Sequence, residues 1–141
     1  MSRLTLAQAN TIVSVALKKA RKMKTKPLTV VVLDDAGHVK ALQREDGANM
    51  FRNDIAIGKA FASIGMGAAS RTLLQRAKDN PEFYGALAAV GQGKFVPQTG
   101  AVLIKDKDGT VLGAAGGSGG TGDEDEAVCI VGIEAAGLAW G

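Results

Sequence analysis

Few side chains in this chain are equipped for chemistry, and they cluster in a few places. The single histidine, His38, follows a turn, where its imidazole is a candidate axial ligand for a metal or a haem iron. It has no second histidine, cysteine or acid at zinc-site spacing, and no flanking pattern of a Ser-His-Asp triad. Its simplest reading is an exposed turn residue. Met50, Met66 and Tyr84 also carry iron-ligating atoms but read first as packing. Arg44, in Arg44-Glu-Asp-Gly-Ala48, ends a strand and leads into a helix, so it stands with Asp46 at the edge of a sheet. Its planar guanidinium suits a carboxylate. Lys59 lies in a helix of small residues and either points into a cleft or covers the surface. Asp125 opens a helix, whose positive end keeps it ionised and better suited to act as a base than as an acid.

The stretch Ala114-Ala-Gly-Gly-Ser-Gly-Gly-Thr-Gly-Asp-Glu-Asp-Glu126 joins a strand to the last helix. Its glycines let a backbone or a ligand come close. Gly117 to Gly122 fits G-x-G-x-x-G, but a dinucleotide fold needs a second parallel strand after the helix and an acid about 20 residues on. The residues that follow, Ala127 to Gly141, read mostly as helix, and neither feature is expected among them. The acids Asp123 to Glu126 already answer the helix dipole and would repel a phosphate, and no Gly-Lys-Ser/Thr is present for a P-loop. Two readings remain open. In one, Gly116, Gly117, Ser118, Gly119 and Gly120 line a ligand pocket shared with Arg44, Asp46 and Lys59, which follows if the strands ending at Arg44 and Gly116 leave the sheet side by side. In the other, the glycines only permit tight chain crossing, and Arg44 pairs structurally with Asp46 or Asp125.

The elements that must position these residues follow from periodicity. Thr5-Leu-Ala-Gln8 is a capping box, and apolar residues from Leu6 to Met23 recur at helical spacing before Pro27 closes the segment. Leu28 to Leu33 and His38 to Arg44 read as a hairpin about Asp34-Asp-Ala-Gly37, and Ala101 to Lys105 and Thr110 to Ala115 as another about Asp106-Lys-Asp-Gly109. Between them lie helices over Asp54 to Met66, Ser70 (as cap) to Lys78, and Phe83 to Val90 after the start signal Asn80-Pro81. Gly91 to Gly100 is a loop with a candidate short strand at Lys94 to Val96. The last helix spans Asp123 to Ala139, and its stretch Ala127 to Ile133 is apolar on every side, which predicts cover by a partner subunit. The same reasoning places the Gly/Ala-rich helix from Ile55 to Met66 at a subunit contact. Antiparallel hairpins and flanking helices make the expected fold α+β.

A chain of 141 residues is one domain, 1–141, with 46% hydrophobic and 22% charged residues. Aromatics are 4% and glycines number 19, so Ala, Val, Ile and Leu must build the core. The net charge of +3 is weak, and the basic run Lys18 to Lys26 lacks an aromatic platform, which argues against nucleic-acid binding. Cys129 sits in an apolar helix and reads as a small hydrophobe. With no signal-like N-terminus and no apolar run of membrane-spanning length, the expected location is cytoplasmic.

Three blocks together carry a family resemblance: Val31 to Ala48, Asp54-Ile-Ala with Lys59-Ala, and Gly113 to Glu126. The combination of R-x-D-G-A and S-G-G-T-G-x-x-D-E resembles the haem-degrading-domain family, also called GlcG/HbpS-like. That family includes extracellular haem-binding proteins, a protein of glycolate-use operons and the C-terminal domain of PduO-type cobalamin adenosyltransferases. The resemblance covers nearly the whole chain. It implies a profilin-like sheet with packed helices, a homo-oligomer of four to eight copies, a catabolic-operon setting, and haem or a related tetrapyrrole as ligand. It transfers no axial ligand, and Gly100-Ala-Val-Leu103 departs from the family's usual Gly-Gly-x-Pro. The expected function is a homo-oligomeric small-ligand-binding protein for haem or a related tetrapyrrole. The alternatives are a cofactor-free catabolic enzyme, with Arg44 holding a substrate carboxylate and Lys59 or Asp125 as acid or base, and an accessory subunit without ligand.

Overall fold

The structure, a computed structural model, describes residues 3–141. Helix α1 (Leu6–Met23) opens with the expected capping box: Gln8 N donates to Thr5 Oγ1 and Thr5 N to Gln8 Oε1, both at 3.0 Å. It ends at Lys24 in the left-handed region, with Arg21 and Lys22 beside its negative pole. Strands β1 (Thr29–Asp34) and β2 (Val39–Arg44) form the first hairpin, and β3 (Ala101–Lys105) and β4 (Val111–Ser118) the second. In both turns the first aspartate accepts backbone N–H bonds, Asp34 from Ala36 and His38, Asp106 from Asp108 and Thr110. The repeated D-x-x-G is thus one Asx-type solution used twice.

Between the hairpins run α2 (Phe51–Met66), α3 (Ser70–Asp79) and α4 (Pro81–Val90), and after them α5 (Gly122–Ala135) and the short β5 (Ala139–Trp140). The five strands make one antiparallel sheet in the order β2-β1-β4-β3-β5. Alternation along β1 divides the core in two. Val30 and Val32 pack with Ile12, Val13, Val128 and Ile133 of α1 and α5, whereas Val31 and Leu33 pack with Ala56 and Ala60 of α2. The fold is α+β, with helices on both faces of the sheet. Among the described residues no helix is long and apolar enough to cross a membrane.

Several expectations are corrected. The last helix stops at Ala135, because Gly137 takes φ +76° and the chain turns back to pair with β3. Much of its apolar surface is covered within the chain: Val128, Cys129, Gly132 and Ile133 are buried, and α1 lies against it so closely that a Cβ on Gly132 would sit on the Ile12 carbonyl oxygen. Of the stretch Ala127 to Ile133, Ala127, Ile130 and Val131 remain half-buried. Apolar surface is left open on α4, where only Tyr84 is buried while Phe83 and Val90 are 51% and 76% exposed, and at Met50 and Phe51 before and at the start of α2. Ser70 does not cap α3; its hydroxyl instead accepts from Ala101 N at 2.8 Å and ties α3 to the start of β3. No strand forms at Lys94 to Val96; Val96 N is taken by the Gly58 carbonyl at 3.2 Å.

Strand β4 also runs further than its sequence suggests. Gly116, Gly117 and Ser118 are ladder residues opposite Val31, Val30 and Thr29. The glycines are there because helices approach from both sides. A Cβ on Gly116 would lie 2.7 Å from the Ala56 carbonyl oxygen of α2, and one on Gly117 would lie 3.3 Å from Asp125 of α5.

Candidate functional site

Thr29, which opens β1, pairs with Arg44 on one side and Ser118 on the other. The strands ending at Arg44 and Ser118 therefore leave the same end of the sheet in the same direction. Which side chains face one another there depends on the helices above and below.

Lys59 is buried on α2, and its ammonium donates to the Gly117 carbonyl at 3.0 Å and to Asp125 Oδ2 at 3.1 Å. Lys59 starts on the α2 face and Asp125 on the α5 face, so the side chain crosses the end of the sheet and joins the two helical layers. Gly100 makes the passage: a Cβ there would lie 2.7 Å from Lys59 Nζ and 2.9 Å from its Cδ. Asp125, also buried, accepts at Oδ1 from Gly120 N at 3.0 Å. Burial pushes the Asp125 carboxyl above its ordinary value, against the opposing pull of Lys59 and the Gly120 amide. The helix-end effect expected to keep Asp125 ionised is thus opposed by desolvation, the largest influence on this carboxyl.

Beside the pair opens a cleft of about 510 Å³, within the usual range for small-molecule sites. Its apolar wall comes from Ile55, Leu74 and Val96, and its polar wall from Arg52, Lys59, Thr99, Ser118, Gly120, Thr121 and Asp125. Arg52 Nη1 donates to Ser118 Oγ at 3.0 Å. The rim is braced by Arg71 of α3, whose guanidinium bonds Asp123 and Glu126 of α5. At the mouth, Thr121 and Glu124 form a second capping box that holds the start of α5.

The structure gathers some of the sequence candidates and separates others. Lys59, Ser118, Gly120 and Asp125 share the cleft. Gly116 and Gly117 are buried ladder residues beneath the helices. Gly119, at φ +134°, lines two smaller grooves instead, with a Cβ position blocked by the Pro27 carbonyl oxygen. Arg44 and Asp46 belong to a separate groove of about 500 Å³ with Arg21 and Glu45. The Arg44 guanidinium donates to the Ala48 carbonyl at 2.7 Å and makes no bond to Asp125 or to the residues of the Lys59 cleft. The expected pocket of Arg44, Asp46, Lys59 and the glycines therefore splits in two. His38 lies at the opposite end of the sheet, in the β1–β2 turn, with its side chain 80% exposed. The arginine that reaches the cleft is Arg52. Its signal in the sequence was its place at the start of α2, about two helical turns before Lys59 and so on the same face.

The chain is thus a helix-flanked antiparallel sheet with a mixed apolar and cationic cleft at one end. The family described as "Haem degrading protein HbpS-like" matches residues 4–134, and the chain belongs to it. An uncharacterised 15.0 kDa protein from the dhaT–dhaS intergenic region of Citrobacter freundii is 27% identical over 125 residues, 89% of this chain and 86% of the relative. Among solved structures, a PduOC:haem complex superposes with a TM-score of 0.86 at 24% identity, covering 98% of both chains. A double mutant of HbpS from Streptomyces reticuli does so with a TM-score of 0.82 at 26% identity, over 95% of this chain and 87% of that one.

Proposed function

We propose that this chain is a homo-oligomeric binding protein for haem or a related tetrapyrrole, held in the cleft between Arg52, Lys59 and the Ser118–Thr121 loop. The observation that carries the reading is the cleft's make-up: apolar side chains on one wall, and a cation with polar groups on the other. That division suits a flat apolar macrocycle with acidic substituents. Membership of the HbpS-like family and the haem-bound state of the similar PduOC structure support it.

The residues present fit the macrocycle and its acids better than they fit the iron. No histidine, cysteine, methionine or tyrosine lines the cleft among the described residues. His38 is too far along the sheet to serve it, so the axial role considered for this residue is not part of the proposal. Haem would supply an iron centre here, while Ile55, Leu74 and Val96 would exclude water from its faces. The cofactor-free enzyme reading is less well supported, because Arg44 is apart from Lys59 and Asp125, and these two neutralise each other.

The test is an absorbance titration of the purified protein with haem. A saturable Soret shift is expected, and His38→Ala should leave it unchanged. No shift in the wild type would overturn the haem reading. Self-association belongs to the same proposal, with the open apolar face of α4 as the contact surface. So do a cytoplasmic location and service to a catabolic operon; the position of the Citrobacter relative, between dhaT and dhaS, supports the operon setting.

A further inference from the structure

Resting on the reading of the cleft as a ligand site, we propose that Arg52 and Ser118 form its carboxylate anchor, the seat of a tetrapyrrole propionate or an equivalent acid group. Four observations lead there. The first is charge. The cleft walls carry Arg52, Lys59, Asp123 and Asp125. Asp125 is taken by Lys59 and Asp123 by Arg71, which leaves Arg52 as the cation without an ion-pair partner among the described residues.

The second is hydrogen-bonding capacity. Of five guanidinium N–H donors, Arg52 places one on the Ser118 hydroxyl. Ser118 is fully buried, and its Oγ accepts that bond while its own proton has no acceptor among the described residues. A carboxylate seated there would accept from the remaining fork of the half-buried Arg52, in the charge-assisted geometry arginine favours, while the buried serine hydroxyl holds that guanidinium in place.

The third is rigidity. Asn53, the neighbour of Arg52, accepts from Thr29 Oγ1 at 2.8 Å, and Thr29 is the ladder partner of Ser118. Both anchor residues are thus tied to the same strand position, on regular elements and not on a free loop. The fourth is contrast. Arg21 is paired with Glu45, Arg71 with Asp123 and Glu126, and Arg44 is bound to the Ala48 carbonyl. Arg52 alone of these faces the cleft uncommitted to an acid or a carbonyl.

The experiment has two arms. In the first, the ¹⁵N-labelled protein is titrated with propionate and, separately, with propionamide, its neutral isostere. Propionate should shift the Arg52 Nε–H signal and the backbone amides of Ser118 to Thr121, propionamide should not, and Arg52→Gln should abolish the response. In the second, wild type, Arg52→Gln and Arg52→Lys are titrated with haem and with haem dimethyl ester. Arg52→Gln should weaken haem binding on the order of tenfold or more, while leaving the ester's affinity unchanged, and Arg52→Lys should recover part of the loss. Circular dichroism on each variant confirms that the fold is intact. Equal responses to propionate and propionamide, or an unaltered propionate response in Arg52→Gln, overturn the anchor even if haem binds. Absence of haem binding in the wild type overturns the tetrapyrrole reading alone, because the propionate arm still decides the anchor.

Discussion

Lys59 and Asp125 form the pair on which the site's geometry turns. Taking one member away leaves the other charge buried, a change that costs about 3–5 kcal/mol in comparable interiors. Lys59→Met should therefore lose stability of that order in urea unfolding at neutral pH. The double variant Lys59→Met with Asp125→Leu should recover much of it, because no unpaired charge remains. An acid signature accompanies this. Asp125 titrates above its ordinary 3.8 in the folded chain, so the folded state keeps a proton that the unfolded state has released. Its contribution to stability is fully present below that ordinary value and declines as pH rises through the folded value. Removing Lys59 takes away a lowering influence, which widens the window, so the Lys59→Met deficit should shrink on acidification. A deficit independent of pH would rule out Asp125 as its source.

At the scale of elements, the glycine run is three structures in succession. Gly116 and Gly117 are strand residues that admit helices on both faces, Gly119 is a positive-φ crossing over Pro27 and Leu28, and Gly120 is the loop amide that bonds Asp125. Gly119→Val should prevent folding, since it combines φ +134° with a Cβ pressed on the Pro27 carbonyl oxygen. Gly120→Ala meets first the far ends of Glu124 and Asp125, at 2.8 and 3.1 Å, and has no positive φ. It should fold, at a cost of about 1 kcal/mol, and thermal denaturation of the two variants measures the difference. Gly119 thus reports on architecture, and variants at Arg52 are the ones that interrogate the cleft.

For the whole molecule, α4 is one apolar surface that a single chain does not cover. Its exposed face carries Phe83 and Val90, a combination that marks contact surfaces in soluble proteins. Phe83→Glu with Val90→Glu should lower the sedimentation coefficient of the wild-type assembly while leaving the monomer's circular dichroism unchanged. A wild type that sediments as a monomer at micromolar concentration would sink the oligomer proposal. An assembly indifferent to both substitutions would move the contact surface elsewhere.

The sequence by itself determined the α+β class, both hairpins with their aspartate turns, the capping box of α1 and the family. Each depends on residues close together in the chain, where period and turn chemistry act locally. It also identified Lys59, Asp125 and the end of β4 as notable. Only the tertiary structure decided how they combine. Lys59 and Asp125 are 66 positions apart, and Arg52 and Ser118 likewise. Their meeting depends on how far α2 and α5 approach the end of the sheet from its two faces. The same long-range packing divided the glycine run, placing Gly116 and Gly117 in the strand and Gly120 on the cleft, and laid α1 against the apolar α5. It also sent Arg44 to the Ala48 carbonyl while Arg52, one element later, reached the cleft. Strand and helix periods set which face a side chain occupies, but the partner across that face is set by the three-dimensional arrangement of elements far apart in the chain.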